Sequence, residues 1–243
     1  MLKIKLVPTA IVLTAAMMVL GGCSASTPTT AGQQGSELKI SRGLGQTSVF
    51  RVGPGKDPKG GQIYSISYAT ASALFDKDGK VLDVNFDALE VLSPNDSDHA
   101  NVPMFSGWPT QAGYAGAASN TVETATAQVS KWKTKRERGD KEYGMNWSEQ
   151  FAGYQKFFKG KTVAEIETWF AKNTSDKNAR PLTAKSTDPK DVAKFAKLSE
   201  AEKTALADVT SGSTISLKDG HGDYIGALKK AYENKVEVTL PLK

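Results

Sequence analysis

Between Gln62 and Leu92 two runs of alternating residues meet at Asp76-Lys77-Asp78-Gly79, and no other feature limits the fold as strongly. Tyr64, Ile66, Tyr68 and Thr70 alternate with the smaller Ser65, Ser67, Ala69 and Ala71. After the turn, Leu82, Val84 and Phe86 alternate with Asp83, Asn85 and Asp87. A period of two sends successive side chains to opposite faces of a strand, so each run is a strand with one buried and one wet face. An Asp-Gly turn closes a hairpin because glycine accepts the positive φ that such loops need. The chain is therefore expected to open on an antiparallel hairpin, Gln62 to Phe75 and Lys80 to Leu92. The Asp83, Asn85, Asp87 ladder has the spacing to hold a cation on one side of a strand. It lacks the glycine and distal glutamate of a calcium loop, and a solvated face is the plainer reading.

From Thr121 the period changes to that of helices. Val122, Ala125, Val129 and Trp132 recur three and four apart, up to about Arg138-Gly139. Trp147, Phe151, Tyr154 and Phe158 form the stripe of a second helix. Thr162 with Glu165 and Ser199 with Glu202 are capping boxes that start further helices. Pro189 to Leu198 and Ser199 to Leu206 are expected to be short helices. Ile225, Leu228 and Tyr232 mark a last one, running through Glu233 with Asp219 as N-cap. Val236 to Leu240 alternates again and adds a strand. The expected class is α+β: a small antiparallel sheet with an opening hairpin, a helical insertion at about 121–205, and a C-terminal helix and strand.

Residues 1–22 read as a signal sequence. Lys3 and Lys5 precede the apolar run Leu6 to Leu20, which is short for a permanent bilayer span. Leu20-Gly21-Gly22-Cys23 resembles the bacterial lipobox, which implies that Cys23 becomes the lipidated first residue of the mature chain. An ordinary secretory signal with an incidental cysteine is the alternative. Cys23 is the sole cysteine, so no disulfide is possible. Residues 23–37 then form the lipidated cysteine and a tether of small and polar residues, and a single domain is expected over 38–243. Thirty-one Lys and Arg against 26 Asp and Glu give a net charge of +5. The basic run Lys131, Lys133, Lys135, Arg136 and Arg138 reads as a solvated helix face, and nucleic acid is not an expected partner. His99 and His221 with one cysteine provide no zinc or haem ligand set.

Asp208-Val209-Thr210-Ser211-Gly212-Ser213-Thr214 packs small hydroxyl residues around a glycine, where an anion can approach a backbone turn. Read as a turn near the start of a helix, it offers converging N–H groups. Asp208-x-x-Ser211-Gly212-x-Thr214 resembles the flavinylation motif of the FMN-binding domain family, Asp-x-x-Ser/Ala-Gly-Ala-Thr, with Ser213 in place of the usual alanine. The hairpin with its Asp-Gly turn, upstream of the motif, matches the layout of that family. The resemblance implies FMN bound covalently to Thr214 through a phosphoester, delivered from FAD by a separate flavin transferase outside the cytoplasm. Ser213 puts a competing hydroxyl beside the acceptor. A plain Ser/Gly/Thr turn is the alternative.

Met104-Phe105-Ser106-Gly107-Trp108-Pro109 is an aromatic loop in a polar stretch, so Phe105 and Trp108 are candidate walls for a flavin ring, or simply packing residues. Arg136 and Arg138, with Tyr143 and Met145 across a glycine-punctuated loop, are candidates to neutralise the flavin, or ordinary surface residues. His221 sits in a glycine-rich turn and is expected to be exposed. Together these features describe a lipid-anchored flavoprotein on the extracytoplasmic face of the cell membrane. It would relay electrons from a membrane quinol or dehydrogenase to an external acceptor, as a carrier more than a self-contained enzyme. The competing class is a solute-binding or structural surface lipoprotein without flavin.

Overall fold

A computed structural model describes residues 37–57, 60–93, 101–109, 121–139, 147–213 and 215–241. The chain divides into two units, residues 1–35 and Ser36–Lys243; the first lies outside the described residues, as do Cys23 and the expected signal and anchor. The second is α+β. Its sheet has the order β3-β2-β1-β6, antiparallel throughout, from β1 (Glu37–Lys56), β2 (Gln62–Phe75), β3 (Val81–Leu92) and β6 (Val236–Pro241).

The expected hairpin is β2 and β3. Asp76 closes its turn by accepting from Asp78 N and Lys80 N at 2.9 and 2.8 Å, and Gly79 takes φ +78. Leu82 departs from the expectation. A bulge between Leu74 and Phe75 shifts the register, so Val81, Val84 and Phe86 turn inward while Leu82 lies outside, 42% exposed.

Strand β1 was not expected, yet it is one of the two inner strands and the longest. It pairs with β2 from Ser41↔Phe75 to Val52↔Tyr64 and with β6 on its other side. Helix α7 (Tyr224–Glu233) lies directly on it. A Cβ on Gly43 would sit 1.8 Å from Ala231 O, and one on Gly45 would sit 2.0 Å from Ala227 O. Only glycine leaves room for the helix backbone to come that close.

The inner face of the sheet is small and the helices above it are large. Ala69, Ala71 and Ala73 of β2 meet Phe151, Tyr154 and Phe158 of α3 (Trp147–Phe158), Ile166 and Phe170 of α4 (Val163–Asn173), and Leu228 of α7 in one core. Phe86 anchors it, touching Phe151, Phe158 and Tyr224 ring to ring at 5.5 to 6.1 Å. A satellite cluster of Leu182, Leu198 and Leu206 ties α5 (Pro189–Ala196) and α6 (Glu200–Gly212) to Trp169. Among the described residues no helix is long and apolar enough to cross a membrane.

The first expected helix is broken in two, α1 (Val122–Val129) and α2 (Lys135–Arg138). Thr134 forms a fresh capping box with Glu137, which restarts the chain at α2, and Trp132 turns aside to donate to Met104 O at 3.0 Å. The basic run is accordingly not one solvated face. Lys135 is buried, and Arg136 donates to Asn85 Oδ1 and Phe86 O while lying 5.4 Å from the Trp147 ring. Arg136 N also reaches Asp87 Oδ1, so two of the three residues in the β3 polar ladder hold α2. Asp83, the third, pairs with Lys159 at 3.5 Å.

Candidate functional site

Helix α6 runs on through Gly212, so Asp208, Ser211 and Gly212 lie in its last turns and Ser213 is its C-cap. The motif therefore occupies a helix end, where sequence reasoning placed it near a helix start. The free backbone groups at such an end are carbonyls, and the macrodipole there disfavours an anion by roughly 0.3–1 kcal/mol. Capping at Ser199 starts the helix, and no glycine or proline intervenes before Gly212 to stop it. Asp208 is exposed. Thr214 lies outside the described residues.

The segment around position 214 is fixed from both sides. Ser213 is 1% exposed, and its hydroxyl donates to Gln150 O at 2.7 Å. The Tyr154 hydroxyl reaches Ser213 O at 3.4 Å and Ile215 O at 3.1 Å. Burial pushes the Tyr154 phenol well above its ordinary value, so it stays protonated and keeps donating. Arg180 Nε donates to Ser216 Oγ at 2.8 Å, which brings a guanidinium to the same segment. Position 214 is thus flanked by two anchored carbonyls, with a cation two residues away.

Phe105 and Trp108 lie elsewhere. They pack edge to face at 5.1 Å and line a cavity of about 410 Å³ on the outer face of the sheet, floored by Tyr64, Ile66 and Tyr68. Tyr154, which holds Ser213, belongs to the core on the inner face. The structure brings Phe105 and Trp108 together with each other and not with Ser213.

A third arrangement escaped sequence reasoning. Glu90, on the inner face of β3 and 6% exposed, accepts from Ser65 Oγ at 3.1 Å and Arg51 NH1 at 3.2 Å, and faces Lys135 Nζ at 3.6 Å. Arg51 also lies 2.7 Å from His221 Nε2, and His221 Nδ1 lies 3.1 Å from Asp219 Oδ1. A guanidinium only donates, so Nε2 accepts and the ring proton sits on Nδ1, donated to Asp219. His221 is therefore a half-buried member of a charged chain and not a free turn residue. Asp219 belongs to a two-stranded hairpin, β4 (Lys218–Asp219) with β5 (Gly222–Asp223), and the N-cap of α7 is Asp223. The missed signal was the pairing of an inward-facing Glu90 with Arg51, and β1 had to be seen as a strand before it could be read.

Burial raises the Glu90 carboxyl, but the positive charges beside it, Lys135 foremost and Arg51 with it, outweigh that and leave it below its ordinary value. Burial likewise raises Asp219, but the hydrogen bonds from His221 pull it down to about 2. Burial lowers the Lys135 ammonium against the opposing pull of Glu90. Both carboxyls are more acidic folded than unfolded, so their contribution to stability is present above about pH 4 to 5 and is lost as pH falls through the folded-state values. Urea unfolding should show a lower midpoint at about pH 3 than at about pH 7; equal midpoints would mean the chain of charges adds nothing. Among the described residues no group of three or more His, Cys, Asp and Glu is placed to hold a metal ion.

Among curated proteins the chain is similar to one named chlorophenol reductase from Desulfitobacterium hafniense, 38% identical over 212 residues. The match covers 82% of this chain and 59% of that relative, so the chain spans well under two thirds of its length. No protein-family model matches the chain, and neither does any solved structure.

Proposed function

We propose that the chain is a redox protein of the FMN-binding type, exported and lipid-anchored at Cys23, that carries FMN as a phosphoester on Thr214 and relays electrons from a membrane donor to an external acceptor. The observation that carries this reading is the Asp208-x-x-Ser211-Gly212-x-Thr214 spacing next to a Ser213 whose hydroxyl is buried and bonded. The redox character is also supported by the similarity to a protein named as a reductase, whose name describes action on a chlorophenol.

The residues beside position 214 fit such a group. Ser213 is kept from competing for the phosphate by its burial, 1% exposed with its hydroxyl turned to Gln150 O, so its departure from alanine is compatible with Thr214 as the acceptor. Tyr154 holds the backbone on both sides of the acceptor, limiting the freedom of whatever is attached there. Arg180 would offset the phosphate charge that the C-terminal end of α6 disfavours, and a charge-assisted bond of about 1.5–3 kcal/mol exceeds that penalty. When bound, the flavin would supply reversible transfer of one or two electrons. The chain would supply location, through Cys23, and a covalent hold that prevents loss of the cofactor outside the cell.

Protein produced with a flavin transferase in an exporting host should be yellow and should fluoresce in a denaturing gel under ultraviolet light. A colourless band after denaturation, from protein that was yellow before it, would overturn the covalent part of the reading.

A further inference from the structure

We propose that the cavity on the outer face of the sheet is a binding site for a neutral, flat, one- or two-ring aromatic or quinonoid molecule, separate from Ser213 and its partner Tyr154. The alternation of the sheet is inverted there. Phe50, Tyr64, Ile66 and Tyr68 are large residues of β1 and β2 that point away from the core, with Phe50 65% and Ile66 45% exposed, while the neighbouring Ser65, Ser67 and Ala69 point in. Exposed aromatic residues grouped on one face are unusual in a soluble domain and mark a binding surface.

The space is a slot with rings on two sides. Phe50 and Tyr64 stack at 5.8 Å and 21° on one side, while Phe105, Trp108 and Trp132 meet edge to face on the other. Its shape is held by the backbone and not by the rings alone. Phe105 N donates to Leu92 O, Leu92 N to Pro103 O, and Ser106 N to Gln128 Oε1 of α1. Trp132 is fixed through its ring nitrogen on Met104 O. A preformed wall of this kind binds without the ordering cost of a collapsing loop.

Volume and chemistry choose the occupant. About 410 Å³ falls in the range of small-molecule sites and is far too little for a helix. Among the described residues no Lys, Arg, His, Asp or Glu lines it, so a charged ligand would lose its hydration with nothing from them in return. Tyr64 and Tyr68 are among the lining residues, and a phenolic hydroxyl can donate to a quinone carbonyl or accept from a phenol. Two sources offer this chemistry, the headgroup of a membrane quinone and a free phenol.

Two of the four tryptophans, Trp108 and Trp132, line the slot, and Trp147 is buried in the main core. Intrinsic fluorescence of the full chain therefore reports on occupancy. Titration with duroquinone and with para-chlorophenol should quench it saturably, and para-hydroxybenzoate, which is charged, should not. Tighter binding of duroquinone supports the quinone source, and tighter binding of para-chlorophenol supports the free phenol. Ile66→Glu puts a carboxylate in the floor at an exposed strand position and should weaken either ligand roughly tenfold or more, with an unchanged circular dichroism spectrum and unfolding midpoint. Trp108→Ala should do the same by removing a wall. Quenching that does not saturate, or an affinity that Ile66→Glu leaves unchanged in a folded protein, would overturn the proposal.

Discussion

Gly45→Val is expected to lower the stability of the chain by roughly 3 kcal/mol or more, a fall of about 6 to 12 °C in Tm for a domain of this size. The reason is the contact between β1 and α7. A Cβ at position 45 would lie 2.0 Å from Ala227 O, 2.3 Å from Ala231 N and 2.8 Å from Lys230 C, all of them backbone atoms that cannot rotate away. The helix must lift, and Ala227, Leu228 and Ala231, all fully buried, lift with it. Gln46→Val is the control, because residue 46 points to the opposite face of the same strand and is exposed. Thermal unfolding of the two variants side by side checks this; a Gly45→Val protein within about 1 °C of the parent would mean that α7 does not sit where the structure puts it.

Thr214→Val is expected to remove all bound flavin, while Ser213→Ala retains it. Valine keeps the shape of threonine and removes the hydroxyl, so no phosphoester can form. The alanine at 213 removes a hydroxyl that is already occupied by Gln150 O and restores the residue usual in the FMN-binding family. Ser213→Ala also leaves Gln150 O without this donor, and a cost of about 1 kcal/mol in stability is expected, too little to unfold the domain. Flavin absorbance per mole of purified protein, before and after denaturation, separates the outcomes. Flavin retained by Thr214→Val and lost by Ser213→Ala would make Ser213 the acceptor and would require it to leave its buried position.

The elements that pack large residues inward could be read directly from the chain. Trp147, Phe151, Tyr154 and Phe158 gave α3 its bounds, and Thr162 with Glu165 gave the start of α4. Strand β1 could not be read because its pattern is inverted. Gly43 and Gly45 face the helix, and Leu44, Phe50 and Val52 face outward, so the rule that places apolar residues inside points the wrong way. At Gly43 and Gly45 α7 comes so close that only glycine fits on that face of β1, and the large residues of this strand, Leu44, Phe50 and Val52, are carried on the other, while Phe75 and Phe86 still fill the core from β2 and β3. The charged chain through Glu90, Arg51 and His221 was hidden for the same reason, since Arg51 belongs to β1. In the motif segment the residue pattern was legible but its setting was not, because α6 runs past Leu206 to Gly212 through Asp208, Val209, Thr210 and Ser211, residues of low helix propensity that do not announce a helix.

The most direct measurement is the mass of the proteolytic peptide containing residue 214, taken from protein exported by a host with an active flavin transferase. The account predicts a gain equal to FMN less one water, with fragment ions placing it on Thr214. A peptide of unmodified mass, from a host that flavinylates a known acceptor in the same culture, would contradict it.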